Sequence, residues 1–219
     1  VQRSDVAALI PAAGGGERLG LGPKAFVRVA GRPLLDWAVT ALIPYVAEVV
    51  VAVPAAHQDE ARQLAPQARV IVGGASRQAT VAQLVAATSA RYVLVHDAAR
   101  PFLDADTIAA VIAALPQAQA VSVVMPVVDS LIDARDGSSV DRDALRAVQT
   151  PQAFERALLQ RAHAQASAAG IEATDDAALV RQLGHAVELV SGGAHLLKIT
   201  TSGDLQLAEA YAQRLLAAS

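Results

Sequence analysis

Short, nearly continuous apolar runs recur along the chain and alternate with stretches whose apolar positions fall at helical spacing. Val6–Pro11, Glu48–Val53, Arg69–Val72, Tyr92–Val95 and Ala120–Val127 are brief and Val-rich, which predicts buried strands. Leu34–Ile43, Gln58–Leu64, Gln78–Ala87 and Asp104–Leu115 read as helices, with Pro33 at the first turn of the first and Asp104 as side-chain cap of the last. Strands that are apolar throughout, separated by helices, predict an α/β protein whose mostly parallel sheet is covered on both faces. Ligands of such sheets bind at the carboxyl ends of the strands.

The rhythm breaks between Asp129 and Val148. Asp133-Ala134-Arg135-Asp136-Gly137-Ser138-Ser139 reads as a turn between two short extended pieces, so residues 129–148 are expected to project as a hairpin arm. Helices are expected again around Glu155–Ala169, Asp176–Leu183 and Ser202–Leu216, with strands near Val187–Val190 and Leu196–Ile199. Neither an internal repeat nor an interdomain linker interrupts the pattern, so residues 1–219 are expected to form one domain with a projecting arm.

Composition narrows the function classes. Apolar residues make up 53% and charged residues 18%, which excludes extensive disorder. A net charge of -3 gives no bulk attraction to nucleic acid or an anionic membrane, although a local basic pocket for a small anion stays open. With no cysteine there is no disulfide, zinc ribbon or thiolate catalysis, which fits a reducing cytoplasm. No apolar stretch approaches the ~20 residues of a membrane span. The first strand begins almost at once, leaving no room for a targeting segment, and a cytoplasmic location is expected. Of the 18 basic residues only Lys24 and Lys198 are lysines, so these two draw attention where a narrow pocket needs a compact point charge.

The first strand runs into Pro11-Ala12-Ala13-Gly14-Gly15-Gly16-Glu17-Arg18-Leu19-Gly20-Leu21-Gly22-Pro23-Lys24, with five glycines and two cations. Such a loop lets backbone N–H groups close on phosphate oxygens. It is neither a dinucleotide fingerprint, since Leu19 stands where the third glycine belongs, nor a Walker loop, since Lys24 lies between Pro23 and Ala25. A dehydrogenase is therefore disfavoured, and Pro23 argues against a helix opening at Lys24. At the end of another strand His96, Asp97 and Arg100 fall together; Asp97 suits a metal-bound triphosphate, and Arg100 suits a backbone or phosphate brace. An Asp97–Arg100 ion pair is the plainer alternative, and His96 reads as a packed histidine rather than a base.

Taken in order, Ala12-Ala13-Gly14 through Arg18, Pro23-Lys24, His96-Asp97-Ala98-Ala99-Arg100-Pro101, Thr150-Pro151-Gln152 with Phe154, Thr174-Asp175-Asp176 and Lys198-Ile199-Thr200 resemble the 2-C-methyl-D-erythritol 4-phosphate cytidylyltransferase family over nearly the whole chain. The resemblance implies a Rossmann-like three-layer α/β/α nucleotidyltransferase fold, and an enzyme that joins CTP to methylerythritol phosphate with release of pyrophosphate, using Mg²⁺ or another divalent cation. It implies that Arg18 and Lys24 stabilise the α-phosphorus in the transition state. Lys198 and Arg142 would hold the acceptor phosphate, the latter from an arm exchanged between the subunits of a homodimer. Ala12, Ala13, Gly14, Gly16, Gly74 and Thr80 would surround the nucleotide. Asp97, Ala98 and Arg100 would face its phosphates, with Asp97 the candidate metal contact. Asp129, Ser130, Thr150 and Thr174 fall at positions resembling the polyol and phosphate contacts. A ribitol 5-phosphate cytidylyltransferase, or a nucleotide-binding module of the same fold without turnover, are the alternatives.

Overall fold

The computed structural model describes residues 1–16, 20 and 22–217. In chain order the elements are β1 (Val6–Pro11), β2 (Arg28–Val29), β3 (Arg32–Pro33), α1 (Leu34–Leu42), β4 (Glu48–Val53), α2 (Gln58–Leu64), β5 (Arg69–Val72), α3 (Arg77–Ala86), β6 (Tyr92–Val95), α4 (Ala105–Ala114) and β7 (Ala120–Pro126). There follow β8 (Leu131–Ile132), β9 (Ser139–Val140), β10 (Arg146–Glu155), α5 (Arg156–Ala168), α6 (Asp176–Gln182), β11 (Glu188–Ser191) and α7 (Ser202–Ala217).

Seven strands form one sheet in the order β11-β7-β10-β6-β1-β4-β5. All neighbours run parallel except β10, which is antiparallel to both β6 and β7. The apolar runs of β1 and β6 occupy the middle and are buried on both faces, which is why they show no polar alternation. Val6, Ala8 and Ile10 pack toward α1 and α4, whereas Leu9 packs toward α3, α5 and α6. The chain is thus the expected α/β protein with helices on both faces of a mostly parallel sheet.

Strand β10 was not expected. Val148 pairs with Val124 and Gln152 with Ser122, so the ladder slips at Gln149-Thr150-Pro151. A central-strand proline is tolerated at such a bulge, and it also disguises the strand in the sequence. The sheet consequently reclaims residues 146–148 from the predicted arm. What projects lies between Pro126 and Arg146, carries the small β8–β9 hairpin, and is exposed over most of its length.

The strand predicted at Leu196–Ile199 is also corrected. Ala194–Leu196 is a single 3-10 turn followed by an extended segment outside the sheet. Its backbone groups have other partners: Leu196 O accepts from Arg100, and Ile199 N donates to Ala99 O. This ties the segment beside the carboxyl end of β6. Its outer side is secured by α7, whose start carries a reciprocal cap. Thr201 Oγ1 accepts from Asp204 N at 3.2 Å, and Asp204 Oδ2 accepts from Thr201 N at 2.8 Å. Ile199 packs with Phe102, Val29, Leu34, Ala208 and Ala212. The two-residue turn between β2 and β3 puts both Ala30 (φ 49°) and Gly31 (φ 75°) in the left-handed region, and Ala30 N donates to Glu209 of α7.

Candidate active site

A cavity of about 420 Å³ opens at the carboxyl edge of the sheet. Its walls are the loop after β1 (Ala12 to Gly16, with Lys24 and Ala25), the turn into α3 (Gly74 to Arg77, and Thr80), the loop after β6 (Asp97 to Ala99), and Lys198. Ten of the predicted residues, Ala12, Ala13, Gly14, Gly16, Lys24, Gly74, Thr80, Asp97, Ala98 and Lys198, therefore meet around one space.

The glycines are there for room. Gly16 sits at φ +72°, and a Cβ on it would stand 2.1 Å from the Gly22 carbonyl oxygen. A Cβ on Gly73 would lie 2.4 Å from Ala13 Cβ, which would pinch the passage between the two loops. Gly22 has φ +80°, outside helical geometry as Pro23 demands, and Lys24 opens only a three-residue 3-10 turn. Lys24 Nζ donates to Ile199 O at 3.2 Å, so the two lysines of the chain converge although 174 residues of sequence separate Lys24 from Lys198. Thr80 Oγ1 is committed to the wall, accepting from Gly74 N at 3.0 Å and donating to Ser76 O at 2.8 Å.

Asp97 is the electrostatic centre. Lys198 Nζ lies 2.7 Å from Oδ2, Arg77 Nη2 lies 3.4 Å from Oδ1, and Arg100 Nε lies 4.0 Å from Oδ2. Burial alone would raise its pKa, but Arg77, Lys198 and Arg100 outweigh it and hold the carboxyl well below the usual carboxylate range. Asp97 is therefore ionised.

Beneath it, a fixed chain of hydrogen bonds holds the loop. Burial pushes His96 down to about 4, so the ring is neutral. Its Nε2 faces Arg100 O at 3.0 Å, an acceptor, and must carry the proton. Nδ1 is then the acceptor for the Thr150 hydroxyl at 3.0 Å, and Thr150 Oγ1 in turn accepts from Asp97 N at 3.1 Å. His96 is locked in the interior and has no proton-transfer task at the cavity. Thr150 and Arg100 belong to this scaffold instead of the cavity wall. Arg100 spends Nη1 on Leu196 O (2.6 Å) and Nη2 on Val148 O (3.3 Å), which makes it a backbone brace.

The remaining predicted residues lie elsewhere. Asp129 and Ser130 are exposed on the arm, and Thr174 is exposed ahead of α6. Arg142 is also on the arm, donating to Val128 O with Asp143 3.8 Å away, and does not line the cavity of its own chain. Arg18 lies outside the described residues.

Arg77 was not picked out from the sequence, and Gln152 appeared there only as part of a family motif, with no role of its own. Arg77 lines the cavity and bridges Asp97 and Asp176. Its signal was a cation at the first position of a helix capped by Ser76, against the helix dipole. Gln152, wholly buried, accepts from the N–H groups of Asp176 and Ala177, each at 3.2 Å, and donates to Asp175 and Ser122.

Asp97 is the one carboxylate at the cavity among the described residues, and they contain no cluster of three or more acidic, His or Cys side chains. Such a donor set does not build a resident metal cage. It suits a Mg²⁺ ion that arrives on a triphosphate and takes one or two protein carboxylates.

A glycine cradle at the carboxyl edge of a mostly parallel sheet, edged by lysines and with its histidine locked away, defines a nucleotidyltransferase: charge is to be stabilised there, and no base is offered. The comparisons specify which one. Residues 6–214 match the sequence profile described as 2-C-methyl-D-erythritol 4-phosphate cytidylyltransferase, and the chain belongs to that family. The protein of that name from Deinococcus radiodurans is 55% identical over 207 residues, covering 93% of this chain and 88% of that one. The crystal structure of the Thermus thermophilus protein of that name superposes with a TM-score of 0.86 at 46% identity, covering 97% of this chain and all of the other. A 4-diphosphocytidyl-2C-methyl-D-erythritol synthase from Anaerococcus prevotii superposes with a TM-score of 0.85 at 26% identity over 97% of this chain and all of that one.

Proposed function

We propose that this chain transfers the cytidylyl group of CTP to 2-C-methyl-D-erythritol 4-phosphate, forming 4-diphosphocytidyl-2-C-methyl-D-erythritol and pyrophosphate in the non-mevalonate isoprenoid pathway. The observation that carries the proposal is the convergence of Lys24, Asp97 and Lys198 on one glycine-walled cavity in a chain that matches the family over residues 6–214.

The chemistry asks for what the site offers. The attacking group is a phosphate monoester with a second pKa near 6, so at neutral pH it is mostly a dianion and needs no general base. The barrier is its repulsion from the triphosphate and the charge that builds on the α-phosphoryl group and leaving pyrophosphate. Lys24, with Arg18 from the same loop, stabilises the α-phosphorus; the N–H groups of the glycine loop cradle the phosphates; and Ala12, Ala13 and Gly74 present the backbone to the base. Lys198 receives the acceptor phosphate. Asp97 would hold Mg²⁺ on the triphosphate, where the ion neutralises charge on the phosphoryl oxygens. We assign the arm to a homodimer contact in which Arg142 completes the acceptor site of the neighbouring subunit, which accounts for an arm exposing Val128 (73%) and Ile132 (67%). No helix among the described residues is long and apolar enough to cross a membrane; the absence of cysteine suits the cytoplasm, where we place the enzyme.

Pyrophosphate release is the test, with CTP, Mg²⁺ and either methylerythritol 4-phosphate or ribitol 5-phosphate, and with ATP, GTP and UTP as controls. Release is expected with CTP and methylerythritol phosphate alone. Release only with ribitol phosphate reassigns the acceptor, and silence with both withdraws the proposal.

A further inference from the structure

Five residues from five separate parts of the chain form a line of alternating partners from the interior to the cavity. His163 of α5 donates from Nε2 to the Asp176 carboxylate at Oδ1, 3.0 Å away, and its Nδ1 has no partner among the described residues. Asp176, 1% exposed at the start of α6, uses Oδ2 to accept from Arg77 Nη1 at 2.9 Å. Arg77 turns Nε and Nη2 to Asp97 Oδ1, each at 3.4 Å. Asp97 Oδ2 accepts from Lys198 Nζ at 2.7 Å.

We propose that Arg77 is a positioning residue for the reaction: anchored by Asp176, it orients the Asp97 carboxylate so that Lys198 is held at the cavity for the acceptor phosphate. The proposal rests on cytidylyl transfer being the reaction of this site and on the place given there to Lys198.

The geometry assigns the task to Arg77 alone. Arg100 also lies near Asp97, but its Nη groups are spent on the Leu196 and Val148 carbonyls, and its Nε is 4.0 Å away. Arg77 grips both carboxylates with different edges of one planar group, a geometry that a lysine ammonium cannot reproduce. The far end of the line is rigid: both Asp176 oxygens are occupied, and its N–H is taken by buried Gln152. Burial works against the guanidinium charge, but Asp176 and Asp97 more than restore it, so Arg77 stays a cation.

The test is a double-mutant cycle between Arg77→Gln and Lys198→Met, with Arg77→Lys alongside, all in the full chain and with folding checked by circular dichroism. Acceptor concentration is varied at saturating CTP, then CTP at saturating acceptor. Arg77→Gln is expected to raise the acceptor KM about tenfold while changing that for CTP less than about threefold, and Arg77→Lys to recover only a minor part. In the Lys198→Met background Arg77→Gln should add little, because the group it positions is gone. Equal losses of Arg77→Gln in both backgrounds, an unchanged acceptor KM, or full recovery by Arg77→Lys would overturn the proposal. If Arg77→Gln does not fold, Arg77→Lys in the same cycle decides by the same criterion of non-additivity. A wild-type enzyme inert toward both substrates removes the proposed function and this inference with it, whereas an active wild type with additive variants removes only the inference.

Discussion

Replacing Gln152 with methionine keeps the length of a wholly buried side chain and deletes its four hydrogen bonds. The cost follows from what is left behind. Asp175 Oδ1 still accepts from Ala178 N at 2.9 Å and stays satisfied. The N–H groups of Asp176 and Ala177 lose their acceptor at the first turn of α6, where no preceding turn supplies one. An orphaned buried donor costs about 1–3 kcal/mol, so two should cost on the order of 3 kcal/mol. At this chain length that lowers Tm by roughly 6–12 °C. Thermal unfolding followed by circular dichroism without ligand, repeated as a urea titration, measures it. Since α6 also carries Asp176, the anchor of Arg77, a rise in acceptor KM should accompany the loss. A Tm shift below about 2 °C would refute the claim that this amide caps the helix, because bulk water would then have to be satisfying both donors.

Lys24→Ala should lower kcat by about 10²–10³ while leaving CTP affinity nearly unchanged, as for the loss of a transition-state contact. Single-turnover kinetics with calorimetry separates the two, and an equal loss in binding with none in kcat would deny Lys24 that role. If the arm is exchanged, mixing Lys24→Ala with Arg142→Ala subunits should recover activity in heterodimers, and sedimentation should find a dimer; no recovery despite demonstrated mixing places each site within one chain. For His96, held down to about 4 against a reference of 6.5, the fold favours the neutral ring. Its contribution is complete above 6.5 and is lost as pH falls toward about 4, on the order of 3 kcal/mol. Urea midpoints across that range should fall steeply, and His96→Asn should flatten the slope. Below it the Asp204 carboxyl, held down to about 2 chiefly by the Thr200 hydroxyl, keeps its cap on α7 until the acid limit.

Much of the fold could be read from the chain because its central strands are buried on both faces and so announce themselves as unbroken apolar runs. β10 could not: Pro151 and the bulge beside it look like a break, and the pairings that make it a strand are with β6 and β7, distant in sequence. Lys24 and Lys198 stood out through scarcity, and their convergence followed. Arg77 was lost among 16 arginines, since its meaning lies in Asp176, 99 residues on. Thr150 and Arg100 were visible as polar residues worth attention, but a pattern of residue types does not say whether a side chain faces the cavity or the scaffold beneath it. Here the neutral His96 ring and two backbone carbonyls claimed them.

The arm leaves the sheet at Pro126 and returns at Arg146, two residues directly opposite one another on adjacent antiparallel strands. Its two roots are therefore one strand spacing apart, roughly 5 Å, whatever the length of chain between them. Evolution or an engineer can lengthen, shorten or transplant this loop as a cassette, since the ladder below the roots registers no change. The sheet therefore sets no limit on how far the arm reaches, and Val148, gripped by Arg100 just inside the root, marks where its constraint begins.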